Sequence, residues 1–493
     1  MKLMLTKTVK AMVNCTSTET RNVMHTRVIK VIAGIIAACD MMCLAATVSD
    51  VTARQRYPWN GLVDLHFTIT GDAGTKYDTS FTAKDMVGGT NVAMKTIRKS
   101  NGVAAEEKEK FLPGTYNLVW DAAADLPKDF KCDRMTVTGT ADISAFPYTV
   151  KFNANGGTGT MANESFTYGT AKALTANAFT RTGYTFQGWA TSANGAKVYN
   201  DKQSVSNLTE TDGAVVNLYA VWKGYSYMVI NVSYTGDAPS KYAVQYANTI
   251  PTGKWGDWDA NKTARFVLRR IEPGTFKMGG QYDVTLTKAF YIGIYEVSIK
   301  QYGFVAGKYP SDTSSWSLPV SHVTWDDIRG SSSTYNWPSS SAVNSKSFMG
   351  ILRAKTGLNF DLPTEAQWEY ACRAGTTSKY NNGGDTENDL KTVGRYSGNS
   401  GGDYGTLGSY QANNWGLYDM HGNVSEWCLD WYGSISGGSN PVGASSGQKR
   451  VLRRGCWHDG ASSCTSAYRG SASPSTTDYY YYYGFRICLT VSN

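Results

Sequence analysis

Apolar and polar residues alternate along Val63–Thr70. Val63, Leu65, Phe67 and Ile69 are apolar, and Asp64, His66, Thr68 and Thr70 separate them. A period of two predicts a strand with one buried face. Shorter runs recur at Thr115–Trp120 and Met135–Thr138, with glycine-rich turns between, so residues 47–146 are expected to form a β-sandwich. His66 reads there as an exposed strand residue rather than a ligand. The period changes at Thr364. Pro363 stands before it, Glu365 falls in the first turn and Gly375 follows, which predicts one amphipathic helix. Most of the chain beyond is rich in Gly, Ser and Trp and keeps neither period.

The first residues follow another pattern. Arg27 and Lys30 precede an apolar run from Val31 to Cys39, and the small residues Ala45 and Ala46 follow. That is the order of an export signal, expected over residues 1–46 with Met24 a candidate start. The run is shorter than the roughly 20 residues of a spanning helix. Two outcomes stay open: cleavage near Ala46, or a lipid anchor on Cys39, where Ile36-Ala37-Ala38-Cys39 resembles a lipoprotein box. Either makes the protein secreted, periplasmic or cell-surface in a bacterium.

An immunoglobulin-like form is expected for the 47–146 sandwich. Residues 147–223 carry YTVKFNANGGTGTM, FTRTGYTFQGWATSANG and NLYAVWK. Glycine pairs mark the turns and aromatics stand beside them. This resembles the internalin-B-type (Listeria–Bacteroides) repeat, a small β-grasp-like module of bacterial surface proteins. The resemblance implies a spacing or adhesive role, and Trp189 and Trp222 read as core rather than sugar-stacking residues. Residues 224–262 hold a strand-like YMVINVSY and the polar GKWGDWDANKTAR, and are expected as a linker.

Residues 263–493 contain FVLRRIEPGTFKMGG, LPVSHVTWDDI, LPTEAQWEYACRAG, NNWGLYDMHGNVSEWCLDW, RVLRRGCWHDG and GFRICLTV in that order. Order and spacing resemble the formylglycine-generating-enzyme/sulfatase-modifying-factor superfamily. The resemblance implies an α+β, C-type-lectin-like fold with long structured loops. The expected architecture is therefore multi-domain, with mainly β modules leading to one α+β domain.

In DMHGNVSEW, Asp419 and Glu426 supply carboxylates, and Gly422 lets the chain curl. Calcium takes several hard oxygens, backbone carbonyls included. The resemblance places a structural calcium on Asp419, Gly422, Val424 and Glu426. The alternative is a metal-free turn held by side-chain hydrogen bonds. The oxidases of the superfamily hold copper on two cysteines separated by four residues, and soft thiolates suit Cu(I). The chain has Asp459 where the first is expected. Its nearest pair, Cys456 and Cys464, has seven residues between, so copper is not expected. Nor do the five histidines show the clustered spacing of an iron site.

The last stretch offers different chemistry. Ser, Thr, Asp, His and Tyr crowd CWHDGASSCTSAYRGSASPSTTDYYYYYGFR, with five consecutive tyrosines at Tyr479–Tyr483. Rigid amphipathic rings beside small polar residues are the composition of antibody-type binding surfaces. This resembles the variable proteins of diversity-generating retroelements, in which randomised adenines turn Asn codons into Tyr, Ser, Asp, His or Thr codons. The candidate contacts are Trp457, His458, Asp459, Tyr468, Tyr479, Tyr480, Tyr481, Tyr482 and Tyr483. A low-complexity surface loop without a ligand is the other reading.

Composition narrows the classes. The net charge of +8 is small for 493 residues and no Lys/Arg stripe exists, so nucleic acid is not an expected partner. Beyond the leader the cysteines are Cys132, Cys372, Cys428, Cys456, Cys464 and Cys488, with no CxxC pair, which excludes zinc-finger and thioredoxin-like readings. The first functional reading is an exported protein that binds a protein or glycan ligand through its C-terminal face. The second is a metal-dependent oxidase acting on a partner's cysteine, with Cys456 and Cys464 as its ligands.

Overall fold

The computed structural model describes residues 46–56, 61–73, 75–86, 88–99, 110–127, 135–250, 258–309, 315–331, 333–453, 455–478 and 482–491. The expected leader with Cys39, and also Cys132 and Tyr479–Tyr481, lie outside them. The chain divides into two compact units. The first holds the N-terminal β region and most of the repeat. The second holds residues 221–493 with the short segments 156–159 and 179–187.

In the first unit the alternating segment forms the strand Leu62–Thr70, and Val63, Leu65, Phe67 and Ile69 are its buried face. It pairs antiparallel with Thr47–Gln55 and with Gly114–Asp121, and Ile97–Lys99 completes the sheet. A three-stranded sheet of Asn91–Ala93, Tyr77–Asp85 and Met135–Ile143 faces the same core. Phe67 of one sheet meets Phe81 of the other at 4.7 Å between ring centroids. In the repeat, Pro147–Asn153 pairs antiparallel with Glu164–Thr167 and parallel with residues 215–219. Trp189 is fully buried against Phe152, at 4.8 Å, and is core as expected. Trp222 is half-buried.

The second unit mixes strands and helices. Its five-stranded sheet runs Ala243–Ala247, Tyr227–Asn231, Arg265–Ile271, Phe290–Gly293, Cys488–Thr490. The expectation of a linker at 224–262 is corrected here. Met228 and Ile230 alternate into the main core, and Tyr227–Asn231 pairs along its whole length with Arg265–Arg269. The apolar face of YMVINVSY has a sheet to join, so it becomes part of the domain.

A second sheet runs Arg469–Ala472, Arg450–Arg453, Ser425–Trp431, Tyr483–Gly484. Packed on it is the helix Glu365–Arg373. Thr364 and Gln367 cap its start reciprocally, and Ala374 ends it in the left-handed region. Glu365 and Glu369 lie one turn apart and both point inward. Glu369 binds Arg453 at 2.6 Å and Arg373 at 2.7 Å. Glu365 accepts from Arg469 Nε and Nη2, at 2.5 and 2.7 Å, and lies 3.1 Å from Arg453 Nε. Further helices, Ile299–Ala306 and Phe348–Thr356, start from Ser298 and Ser347 caps.

Asp430 adjoins this network and accepts the Glu365 N–H at 2.6 Å. Burial first, and then the Glu365 charge, push its carboxyl up to about 7. The folded state therefore holds a proton that the unfolded chain releases near pH 4. The resulting stability is full below that pH and is lost as pH rises to about 7. Asp430→Asn keeps an acceptor without the titration. Its stability relative to the parent should improve with pH between about 4 and 7, by up to ~1.4 kcal/mol per unit. Parallel urea curves for the two proteins would refute this assignment.

Candidate functional site

Two features of the second unit carry chemistry, and the strand Ser425–Trp431 links them. The first is a buried acidic centre. Gly422 sits at φ +123° with the Arg395 carbonyl so close that a Cβ would overlap it, and this curl turns the chain inward. Asp419 is buried and accepts the Gly408 N–H at 2.7 Å. Glu426 is fixed by Arg486 at 2.6 and 2.7 Å and by Trp368 Nε1 at 2.8 Å. A third carboxylate, Glu296, accepts Asn423 Nδ2 at 2.8 Å and the Val424 N–H at 3.1 Å. Burial holds Asp419 up at about 6. Burial, then the Asp419 and Glu426 charges, raise Glu296 well above the usual carboxylate range. Among the described residues the three carboxylates have one ion-pair contact, that of Glu426 with Arg486.

A hard cation would offset that excess negative charge, and the oxygen donors suit calcium. Among the described residues no three carboxylate, imidazole or thiol side chains converge closely enough to hold a metal by themselves. A cation here would need main-chain carbonyls as further ligands.

The second feature is the loop 455–468. It joins Arg450–Arg453 to Arg469–Ala472, and Arg453 and Arg469 face each other across its base. Glu365 of the helix meets both. Below the loop, Trp457 N–H donates to the Asn423 carbonyl at 2.9 Å and Ser397 N–H to the Asp459 carbonyl at 3.0 Å. His421 Nδ1–H donates to the Cys464 carbonyl at 2.8 Å, and its Nε2 accepts the Asn381 N–H at 2.9 Å. Burial lowers that imidazole to about 4, so it stays neutral. Ser466 N–H reaches the Lys379 carbonyl, and Arg453 Nη1 the Ser466 carbonyl.

On the outer side three rings gather. Trp457 and Tyr482 are half-buried and His458 is exposed. Trp457 lies 5.4 Å from His458 and from Tyr482, and His458 lies 5.3 Å from Tyr482. Trp457 Nε1–H has no hydrogen-bond partner among the described residues. Parallel pairing of Ser425 with Tyr483 brings the end of the tyrosine run beside the loop.

Residues 259–491 match the sulfatase-modifying factor enzyme 1-like domain, and residues 148–221 match the Listeria-Bacteroides repeat domain. The chain belongs to the formylglycine-generating-enzyme/sulfatase-modifying-factor superfamily. The chaperone protein LppX of Paenibacillus barcinonensis is 30% identical over 226 residues, covering 35% of this chain and 74% of the relative. Serine/threonine-protein kinase pkn1 of Chlamydia pneumoniae is 36% identical over 146 residues, 27% of this chain. The chain spans only 21% of that kinase's length. The formylglycine-generating enzyme of Mus musculus is 31% identical over 180 residues, 33% of this chain and 48% of the enzyme. The solved structure of Treponema denticola variable protein 1 aligns at 27% identity with a TM-score of 0.39, covering 46% of this chain and 96% of its own.

Cys456 and Cys464 are both buried and free. Burial, then the Asp459 charge, pushes Cys456 up to about 12 and raises Cys464 as well. Asp459 itself closes a turn, its carboxylate accepting the Cys456 N–H at 3.1 Å. Tyr468 is 36% exposed, next to the strand Arg469–Ala472.

One expected contact is corrected. Tyr483 is 5% exposed and packs edge-on against Trp427 at 5.4 Å, because its strand position points into the core. Two residues of the acidic centre, Glu296 and Arg486, went unread in the sequence; Arg486 stood in the GFR motif, but no spacing signal marked Glu296. Tyr483→Ala should cost about 3 kcal/mol or more, whereas His458→Ala should stay within about 0.5 kcal/mol. Denaturant unfolding measures both, and equal costs would place the two rings in the same environment.

Proposed function

We propose that this chain is an exported, non-catalytic display protein whose C-terminal loop surface binds a protein or glycan ligand. The observation that carries this reading is the ring trio Trp457, His458 and Tyr482, partly open to solvent on a loop pinned from below. Rings of this kind give contact area at low entropic cost. Tyr468 and Tyr479–Tyr481 extend the same chemistry. The seven residues between Cys456 and Cys464, with Asp459 where the oxidases' first cysteine is expected, favour a binder over a copper oxidase.

The N-terminal modules, an immunoglobulin-like sandwich and a β-grasp-like repeat, act as the stalk. A calcium ion held by Asp419 and Glu296, with Gly422 and Val424 carbonyls and with Glu426 shared with Arg486, stiffens the base of the loop. It supplies charge compensation only.

The residue spectrum of the loop further suggests diversification by a retroelement. A near-copy of the gene's 3′ end, differing mainly at adenines and lying beside a reverse-transcriptase gene, is the expected finding. A complete genome lacking both would overturn the diversification. For calcium, calorimetry on the chelated protein should show binding and a raised melting temperature. At a hundredfold excess over Kd the gain is about 2.7 kcal/mol. No heat and no shift would remove the ion from the proposal.

A further inference from the structure

A cleft of about 500 Å³ opens at the C-terminal end of the helix Glu365–Arg373, lined by none of the loop-surface residues. Phe276 and Lys277 line it from the hairpin Gly274–Met278/Tyr282–Leu286, Tyr370 and Arg373 from the helix, and Trp415 from the following loop. The three rings are half-buried and form a continuous wall. Phe276 lies 5.2 Å from Tyr370, and Tyr370 lies 4.9 Å from Trp415 at 69°.

The cleft is built rather than incidental. Gly279 N–H donates to Glu369 at 2.8 Å, which clamps the hairpin to the helix. Asn413 Nδ2 reaches the Ala371 and Cys372 carbonyls at 2.7 and 3.1 Å, and Asn413 Oδ1 accepts the Trp415 N–H at 3.0 Å. Asn413 thus satisfies carbonyls at the end of the helix and sets Trp415 in place. Gly274 leaves room for the Tyr370 hydroxyl, which a Cβ would meet at 2.1 Å. A preformed wall of this kind needs little ordering when a ligand arrives.

Its charges are already spent. Lys277 pairs with Asp283 at 2.8 Å, and Arg373 with Glu369 at 2.7 Å. Arg373 also reaches the Ser378 carbonyl at 3.2 Å. An apolar ring wall with a neutral polar rim suits neither an anion nor a cation. It suits a ligand with apolar C–H faces and hydroxyl edges. We propose that this cleft binds a neutral oligosaccharide, its sugar faces resting on Phe276, Tyr370 and Trp415 and its hydroxyls meeting the Lys277–Asp283 rim.

The test uses the full chain, titrated calorimetrically and by tryptophan fluorescence with maltotriose, cellotriose and triacetylchitotriose. At least one should bind saturably. Trp415→Ala should weaken that binding roughly tenfold or more, about 1.4 kcal/mol. Thr275→Arg, which fills the cleft from an exposed strand position, should do the same with an unchanged melting temperature. Trp457→Ala should leave it intact, which separates this cleft from the loop surface. The proposal falls if none of the three sugars binds at millimolar concentration, or if binding survives Thr275→Arg. It falls equally if tetramethylammonium binds in their place, because the rings would then form a cation cage.

Discussion

The guanidinium of Arg453 is the joint on which the C-terminal domain depends. It is fully buried, binds Glu369 at 2.6 Å, faces Glu365, and donates to the carbonyl of Ser466. One side chain thereby connects the capped helix, the central strands and the outer loop. Removing one partner of such a buried pair costs about 3–5 kcal/mol, because the other charge is left without compensation. Arg469 repeats the contact to Glu365 from the neighbouring strand. The helix and the two arginines form a unit: Tyr370 and Arg373 of the helix line the cleft, and Arg453 and Arg469 flank the loop 455–468.

Local features were legible in the sequence. The period of two at Val63–Ile69 became a strand with those four residues inside, and Thr364 capped the helix that Glu365 begins. Further caps stood in plain view. Ser298 with Gln301, Thr324 with Asp327 and Thr386 with Asp389 each start a helix by the same reciprocal bonds, and their spacing was an unused signal. Pairing between distant strands was not legible. Nothing inside YMVINVSY says that Arg265–Ile271 will lie beside it. The acidic centre was half legible, because Asp419 and Glu426 share a motif while Glu296 arrives from far upstream and Arg486 from near the end.

The tyrosine run shows why composition and position must be separated. Tyr482 and Tyr483 are the same residue in sequence, yet the first leans on His458 and the second on Trp427. Tyr483 opens the short strand Tyr483–Gly484 and pairs with Ser425, whereas Tyr482 stands just before it. Composition proposed a surface, and the strand register decided which ring belongs to it.

Beneath its outer face the loop 455–468 is held by main-chain atoms, the N–H of Trp457, the carbonyls of Asp459 and Cys464 and both groups of Ser466, and by the buried side chains of Cys464 and Ser466. Every amino acid except proline carries the same two groups. The hydrogen bond at Trp457 therefore does not depend on which side chain that position carries. Side chains at 457, 458 and 468 can be rewritten while the hold beneath them stays the same, and under the proposed binding role each rewriting is a new specificity at little cost to the fold.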